Sequence, residues 1–282
     1  MSAQSSGSEP TNATPSTPRH VVMVLSGKGG VGKSTVAVNV AVALAHRLDV
    51  GLLDADLHGP DVPKMLGIEN QTMPIRDGKL FPVLTPHNLT VASIAFALPS
   101  RDAPIIWRGP LKMKAVQQLV EEVEWGPLDL LVVDLPPGTG DEALSVAQLA
   151  GKRAAAVVVT TPQEVALLDA AKAVTFARKV GVEKIGIVEN MSTLVCPHCG
   201  GEIPLYGTGG GERLAAEMGT PFLGHIPLIP EVVRGGDEGR PAVLVPTARE
   251  PFLAVADAIW ALVKAAPNAS RDPASPNGGT RP

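Results

Sequence analysis

Gly27-Lys28-Gly29-Gly30-Val31-Gly32-Lys33-Ser34-Thr35 fits G-x-x-x-x-G-K-[ST], with a second lysine one residue after the first glycine. An apolar run, Val21 to Leu25, precedes it and a helix-compatible run, Lys33 to Ala45, follows, which is the strand-loop-helix setting a phosphate-binding loop requires. Its glycines let backbone N–H groups turn toward phosphate oxygens, and the new helix points its positive end at them. Lys33 is expected between the β- and γ-phosphates, the Ser34 hydroxyl on magnesium, and Thr35 near the α-phosphate. Lys28 sits on the outer limb of the loop. Such a cation either reaches a phosphate held by a second subunit or is a solvated surface lysine.

Acidic residues at strand ends supply the rest of a nucleotide site. About twenty residues on, Gly51-Leu52-Leu53 ends in Asp54-Ala55-Asp56, two carboxylates expected to point the same way from an extended segment. Asp54 is a candidate for holding magnesium-bound water, and Asp56, farther into the loop, for orienting the attacking water. Leu130-Leu131-Val132-Val133-Asp134 reads as a Walker B strand whose carboxylate anchors magnesium through water. Pro136 and Pro137 stiffen the next loop, and Gly138 is expected to leave an N–H facing the γ-phosphate, so that the loop moves when that phosphate departs. Asn190, placed at the end of a strand over Lys184 to Glu189, is a candidate contact for an adenine edge or a plain turn former.

The two cysteines of the chain, Cys196 and Cys199, stand in Cys196-Pro197-His198-Cys199-Gly200-Gly201. This spacing brings two thiolates onto one centre, whereas zinc or an iron–sulfur cluster usually takes four ligands, a number that a symmetric dimer completes. A thioredoxin-like redox pair and a structural zinc shared across a dimer are the competing readings. His198, turned away between the cysteines, is not expected to be a ligand.

Composition bounds what surrounds these groups. The chain has 282 residues, 45% of them hydrophobic and only 3% aromatic, so its interior must be built from Ala, Val, Leu and Ile. That suits parallel strands covered by helices on both faces. A formal net charge of −4, without basic clusters interleaved with aromatics, argues against nucleic acid as a partner. No apolar run approaches about 18 residues and no secretory signal is evident, so the expectation is a cytoplasmic protein with no membrane partner. Residues 1–19 and 267–282 read as disordered tails of Ser, Pro, Gly and Ala or Asn, flanking one domain over 20–266.

Between the tails, strand and helix patterns alternate. Strands are expected at Val21 to Ser26, Gly51 to Asp54, Thr90 to Ala95, Leu128 to Asp134, Ala154 to Thr160, Lys184 to Glu189 and Phe222 to Ile226. Helices are expected from Lys33, at Leu111 to Glu124, from Asp141, at Glu164 to Val180, at Gly211 to Met218 and at Pro251 to Ala265. The fold class is therefore α/β, a single doubly wound, mostly parallel sheet with its ligand loops at the carboxyl ends of the strands.

GKGGVGKST at 27–35, DADLHGPDVPKMLG at 54–67, WRGP at 107–110, DLPPGTGDEALS at 134–145, ENMS at 189–192, CPHCGG at 196–201, YGTGGGERLA at 206–215 and IPLIPEVVRGGDEGRP at 226–241 together resemble the Mrp/ApbC family of iron–sulfur cluster carrier ATPases. These belong to the deviant-Walker-A class of P-loop proteins that includes MinD, ParA and the nitrogenase iron protein. The resemblance implies ATP and Mg2+ as ligands, Lys28 as an intersubunit lysine, Asp56 as the aspartate of the catalytic water, Asp134 as the Walker B group and Asn190 as an adenine contact. It implies a homodimer whose Cys196 and Cys199 bind a bridging [4Fe-4S] cluster destined for apo iron–sulfur proteins. The chain departs from some members: no small domain precedes its ATPase region, and its amino-terminal segment carries no cysteine cluster. A MinD/ParA-like positioning ATPase is the alternative; it calls for an amphipathic or basic surface element, which the residues after Pro267 do not offer.

Overall fold

The computed structural model describes residues 17–57, 59–97, 109–196 and 198–265. The expected tails, apart from 17–19, therefore lie outside the described residues, as do Trp107 and Arg108 of the WRGP motif.

In chain order the elements are β1 (His20–Leu25), α1 (Lys33–Ala45), β2 (Val50–Asp54), α2 (Val62–Met65), β3 (Ile75–Arg76), β4 (Lys79–Leu80), β5 (Val83–Leu84), β6 (Leu89–Ser93), α3 (Gly109–Glu121) and β7 (Leu130–Asp134). There follow α4 (Asp141–Ala150), β8 (Ala154–Thr160), α5 (Glu164–Lys179), β9 (Lys184–Val195), β10 (Glu202–Ile203), α6 (Gly210–Met218), β11 (Phe222–Leu228), α7 (Pro230–Asp237) and α8 (Arg249–Lys264). The main sheet runs β10-β9-β8-β1-β7-β2-β6-β5, with β11 also on β9. All its pairings are parallel except those of the short edge strands β5 and β10.

Alternation along the strands divides the core in two. Val22 and Val24, Leu130 and Val132, and Ala155 and Val157 pack on one side, with α1 and α8. Val21 and Met23, Leu131 and Val133, and Ala156 and Val158 pack on the other, with α3, α4, α5 and α6. Helix α1 is buried nearly all round, from Val36 to Ala45; its Ala and Val side chains suit this, and its one buried polar side chain in that stretch, Asn39, donates to the Thr35 carbonyl and accepts from the Val243 N–H, each at 2.8 Å. Parallel pairing brings the carboxyl ends of β1, β2, β6 and β7 to one edge; Asp54 stands in register with both Asp134 and Ser93.

The structure corrects one strand in a way that matters to the site. β9 does not stop at Glu189 but continues to Val195, paired with β11 from Ile187 to Leu194 and with β10 at Leu194 and Val195. Asn190 is therefore inside a strand rather than at its end. Its successor Met191 has φ +55, and the β11 register shifts between Ile226 and Leu228 opposite it, the signature of a bulge. The elements α2, α7, β3, β4, β5 and β10 have no counterpart in the sequence expectation. Each is short, so its stability comes from docking and not from a periodic pattern.

Candidate nucleotide site and cysteine knuckle

Gly30 and Gly32 hold φ near +80, which L side chains adopt only with strain. Gly27 is required for a different reason. A Cβ there would lie 2.2 Å from the carbonyl carbon of Asp169 in α5, so the loop begins in contact with that helix's backbone. The loop encloses a cleft of about 230 Å³ lined by Ser26, residues 28 to 35, Asp56, Asp61, Met65 and Pro137. The Ser26 hydroxyl is buried there without a hydrogen-bond partner among the described residues. Inward-turned glycines and an unspent buried donor fit a phosphate chain.

Lys33 is buried and its Nζ donates to Asp134 Oδ1 at 2.7 Å and to Ser34 Oγ at 3.2 Å. Burial pushes the Asp134 carboxyl up from its usual range, against the opposing pull of the Lys33 ammonium and the Ser34 hydroxyl. These three side chains gather a cation, a hydroxyl and a carboxylate where Mg2+ and a β,γ-phosphate would need them. Lys28 lines the outer part of the same cleft and is only partly buried.

Asp54 and Asp56 take different places. Asp56 lines the cleft. Asp54 is fully buried behind it: its Oδ2 accepts from the Ser93 hydroxyl at 3.0 Å and its Oδ1 from the Asp56 N–H at 3.2 Å. Burial, then the neighbouring Asp134 charge, drives its pKa well above the usual carboxylate range. The two carboxylates do not point the same way, since β2 ends at Asp54 and only the loop beyond it brings a carboxylate, Asp56, into the cleft lining. Gly138 also departs from expectation. Its N–H donates to the Ser26 carbonyl at 2.8 Å, so the amide is engaged with the foot of the phosphate loop rather than open to a γ-phosphate.

A second cavity, of about 310 Å³, adjoins the cleft and shares Thr35, Asp61 and Met65 with it. Met191, Ile226, Pro227, Ile229 and Val232 give it apolar walls, and Asn39, Asn190 and Asp237 give it polar points, a lining that suits a nucleoside. Asn190 enters this wall while its Nδ2 donates to the Val31 carbonyl at 2.9 Å. A Cβ on Gly32 would meet that same Nδ2 at 2.1 Å. The Asn190 amide thus braces the phosphate loop as well as facing the cavity. The wall from Ile226 to Ala242 was not assigned a role from sequence. All of it but Ala242 falls within the motif at 226–241 that contributes to the family resemblance, but its apolar side chains carry no chemical signature of their own.

Cys196 follows β9 directly, and the Cys199 and His198 N–H groups and the Cys199 thiol hydrogen-bond to its sulfur, holding its pKa below that of an ordinary thiol. Cys196 N–H donates to the Gly201 carbonyl and Gly200 N–H to the Cys196 carbonyl, each at 2.9 Å, closing a tight knuckle. A Cβ on Gly201 would lie in ordinary contact with Cys199 Sγ, at 3.4 Å. Both thiols are free, and among the described residues no group of three His, Cys, Asp or Glu is placed to hold a metal. β9 links knuckle to nucleotide wall: Asn190 and Cys196 are six positions apart, about 20 Å of extended chain.

The model of the ParA family described as NUBPL iron-transfer P-loop NTPase matches residues 17–262. The chain belongs to this family of P-loop ATPases. Iron–sulfur cluster carrier proteins of Pyrococcus abyssi and Methanocaldococcus jannaschii are similar to it, at 50% identity over 80% of each chain and at 46% over 80% of this chain and 79% of the relative. Among solved structures, a nucleotide-binding protein of Archaeoglobus fulgidus in complex with ADP is 39% identical, with a TM-score of 0.72 over 83% of this chain and 92% of that one. The cell division ATPase MinD of Pyrococcus furiosus is 25% identical, with a TM-score of 0.63 over 86% and 99%. Family membership makes this chain an ATPase with a mostly parallel central sheet. Among the described residues no helix is long and apolar enough to cross a membrane.

Proposed function

We propose that this chain hydrolyses ATP as a homodimer and carries a [4Fe-4S] cluster, held by Cys196 and Cys199 of both copies, to apo iron–sulfur proteins. The observation that carries this reading is the cysteine knuckle. It presents two prepared thiols with no further ligand among the described residues, on the strand that also braces the phosphate loop. A second copy supplies the missing pair. Apolar side chains exposed beside it, Val195, Ile203 and Leu205, suit a surface that a second protein covers. The printed names of the relatives, iron–sulfur cluster carrier proteins, support the cargo, and the ADP of the Archaeoglobus fulgidus structure supports the nucleotide.

In this reading Lys33 and the loop amides hold the β- and γ-phosphates, Thr35 lies toward the α-phosphate, and the apolar cavity with Asn190 receives the adenine. Mg2+, held by Ser34 and through water by Asp134, would neutralise charge on the phosphate oxygens. Asp56 orients the attacking water, whose oxygen bonds to the γ-phosphorus as the bridging oxygen leaves with ADP. Lys28 reaches the partner's nucleotide and stabilises charge on the transferring group. For Gly138 to engage the γ-phosphate it must release the Ser26 carbonyl, which gives the 136–140 loop two positions. The protein acts in the cytoplasm, without membrane or nucleic acid as partner.

Anaerobic reconstitution with iron and sulfide tests the proposal, read by absorbance, metal analysis and light scattering. Four irons and four sulfides per two chains, with dimerisation on loading, is the expected result. A protein that takes zinc tightly and refuses a cluster under reducing conditions is a zinc-bridged ATPase instead, and the carrier reading fails.

A further inference from the structure

We propose that Ser93 is a positioning residue for hydrolysis, acting through Asp54 to fix the Asp56 backbone and hence the carboxylate that orients water. The inference rests on the proposed role of Asp56. Asp56 lies between β2 and α2, where no sheet ladder holds it. The preceding residue is anchored, since Ala55 N–H donates to the Asp134 carbonyl at 2.9 Å. The N–H of Asp56 itself is held by a side chain, Asp54 Oδ1, at 3.2 Å.

That carboxylate is aimed in turn from β6. Ser93 pairs with Asp54 in the sheet register, and its hydroxyl donates to Asp54 Oδ2 at 3.0 Å. The Ala95 N–H donates to Ser93 Oγ at 3.1 Å, which fixes the hydroxyl oxygen in place while its hydrogen serves Asp54. Ser93 and Asp54 are both fully buried. A buried hydrogen bond of this kind has no water to replace it, so its loss reaches the groups it orients. Beyond Asp54 the path is short: Asp56 Oδ1 accepts from Gly59 N–H at 3.3 Å, and the side chain lines the phosphate cleft. Without the Ser93 hydroxyl, Asp54 loses the bond that sets its rotation, its hold on the Asp56 N–H weakens, and the catalytic carboxylate is placed less firmly while the phosphate loop keeps its own supports.

The test compares Ser93→Thr with Ser93→Val, which have the same shape and differ in the hydroxyl, alongside Ser93→Ala, Asp56→Ala and the double variant Ser93→Ala/Asp56→Ala. Full-length proteins are assayed for ATP turnover, for binding of a fluorescent ATP analogue and for melting temperature. Ser93→Val and Ser93→Ala are expected to lower kcat by about tenfold with nucleotide Kd within about twofold, and Ser93→Thr to restore most of the rate. The double variant is expected to be no slower than Asp56→Ala. Equal rates for Ser93→Thr and Ser93→Val, or losses that multiply in the double variant, overturn the proposal. If Ser93→Ala does not fold, the Thr and Val pair decides alone. Wild-type turnover in Asp56→Ala refutes the underlying role of Asp56 and this inference with it. Slow Asp56→Ala with wild-type Ser93→Val refutes this inference only.

Discussion

Gly27→Ala should damage the protein by a route that the phosphate-loop pattern does not express. Position 27 needs no positive φ; the demand on it is steric. A Cβ would stand 2.2 Å from the Asp169 carbonyl carbon and 2.3 Å from its oxygen, against the 3.4 Å at which ordinary contact begins. More than 1 Å of separation must be found between the loop and α5, and the atoms in the way are backbone, which no rotamer change can move. Overpacking costs about 1–3 kcal/mol, and a backbone neighbour places this case near about 3. For a domain of this size that lowers the melting temperature by about 6–12 °C. ATP affinity should fall as well, because the displaced limb carries Lys28 and the loop amides. Differential scanning calorimetry and titration calorimetry with ATP measure both. Gly29→Ala is the control for stability, since a Cβ there meets nothing within 4 Å and its φ is not positive; its melting temperature should match wild type. A Gly27→Ala protein with unchanged melting and unchanged ATP affinity would refute the steric argument.

Asp134→Ala leaves the buried Lys33 ammonium without its 2.7 Å partner; it should cost about 3–5 kcal/mol in chemical denaturation as well as abolishing hydrolysis, and wild-type stability would mean that Lys33 finds another acceptor. Cys196→Ala or Cys199→Ala should lose cluster loading while ATP affinity stays within about twofold, because about 20 Å of extended chain lies between the knuckle and Asn190, which braces the phosphate loop; a variant retaining full iron and sulfide sinks the bridging cluster. Lys28→Ala should bind nucleotide yet hydrolyse poorly. Mixed with Lys33→Ala it should recover part of the activity in heterodimers, and confirmed heterodimers without recovery count against action in trans.

The loop over residues 27 to 35, the strand ending in Asp134 and the Cys196–Cys199 knuckle were legible in the sequence as local structures, because each is a pattern of fixed residue types at short spacings that neighbouring geometry suffices to build. The sheet and its helices were legible too, since apolar runs of four to seven residues between amphipathic segments admit few packings. What only the tertiary structure decided are relations between distant segments. Asp54 and Asp56 read from Asp-Ala-Asp as pointing the same way, yet Ser93 on a neighbouring strand claims one and the cleft receives the other. Gly138 reads as an open amide until Ser26 is seen to accept from it. Asn190 reads as a strand end until β11 extends the ladder past it. In each case burial brings a donor and an acceptor from distant parts of the chain within 3 Å or so, and a buried polar group must take the partner it meets.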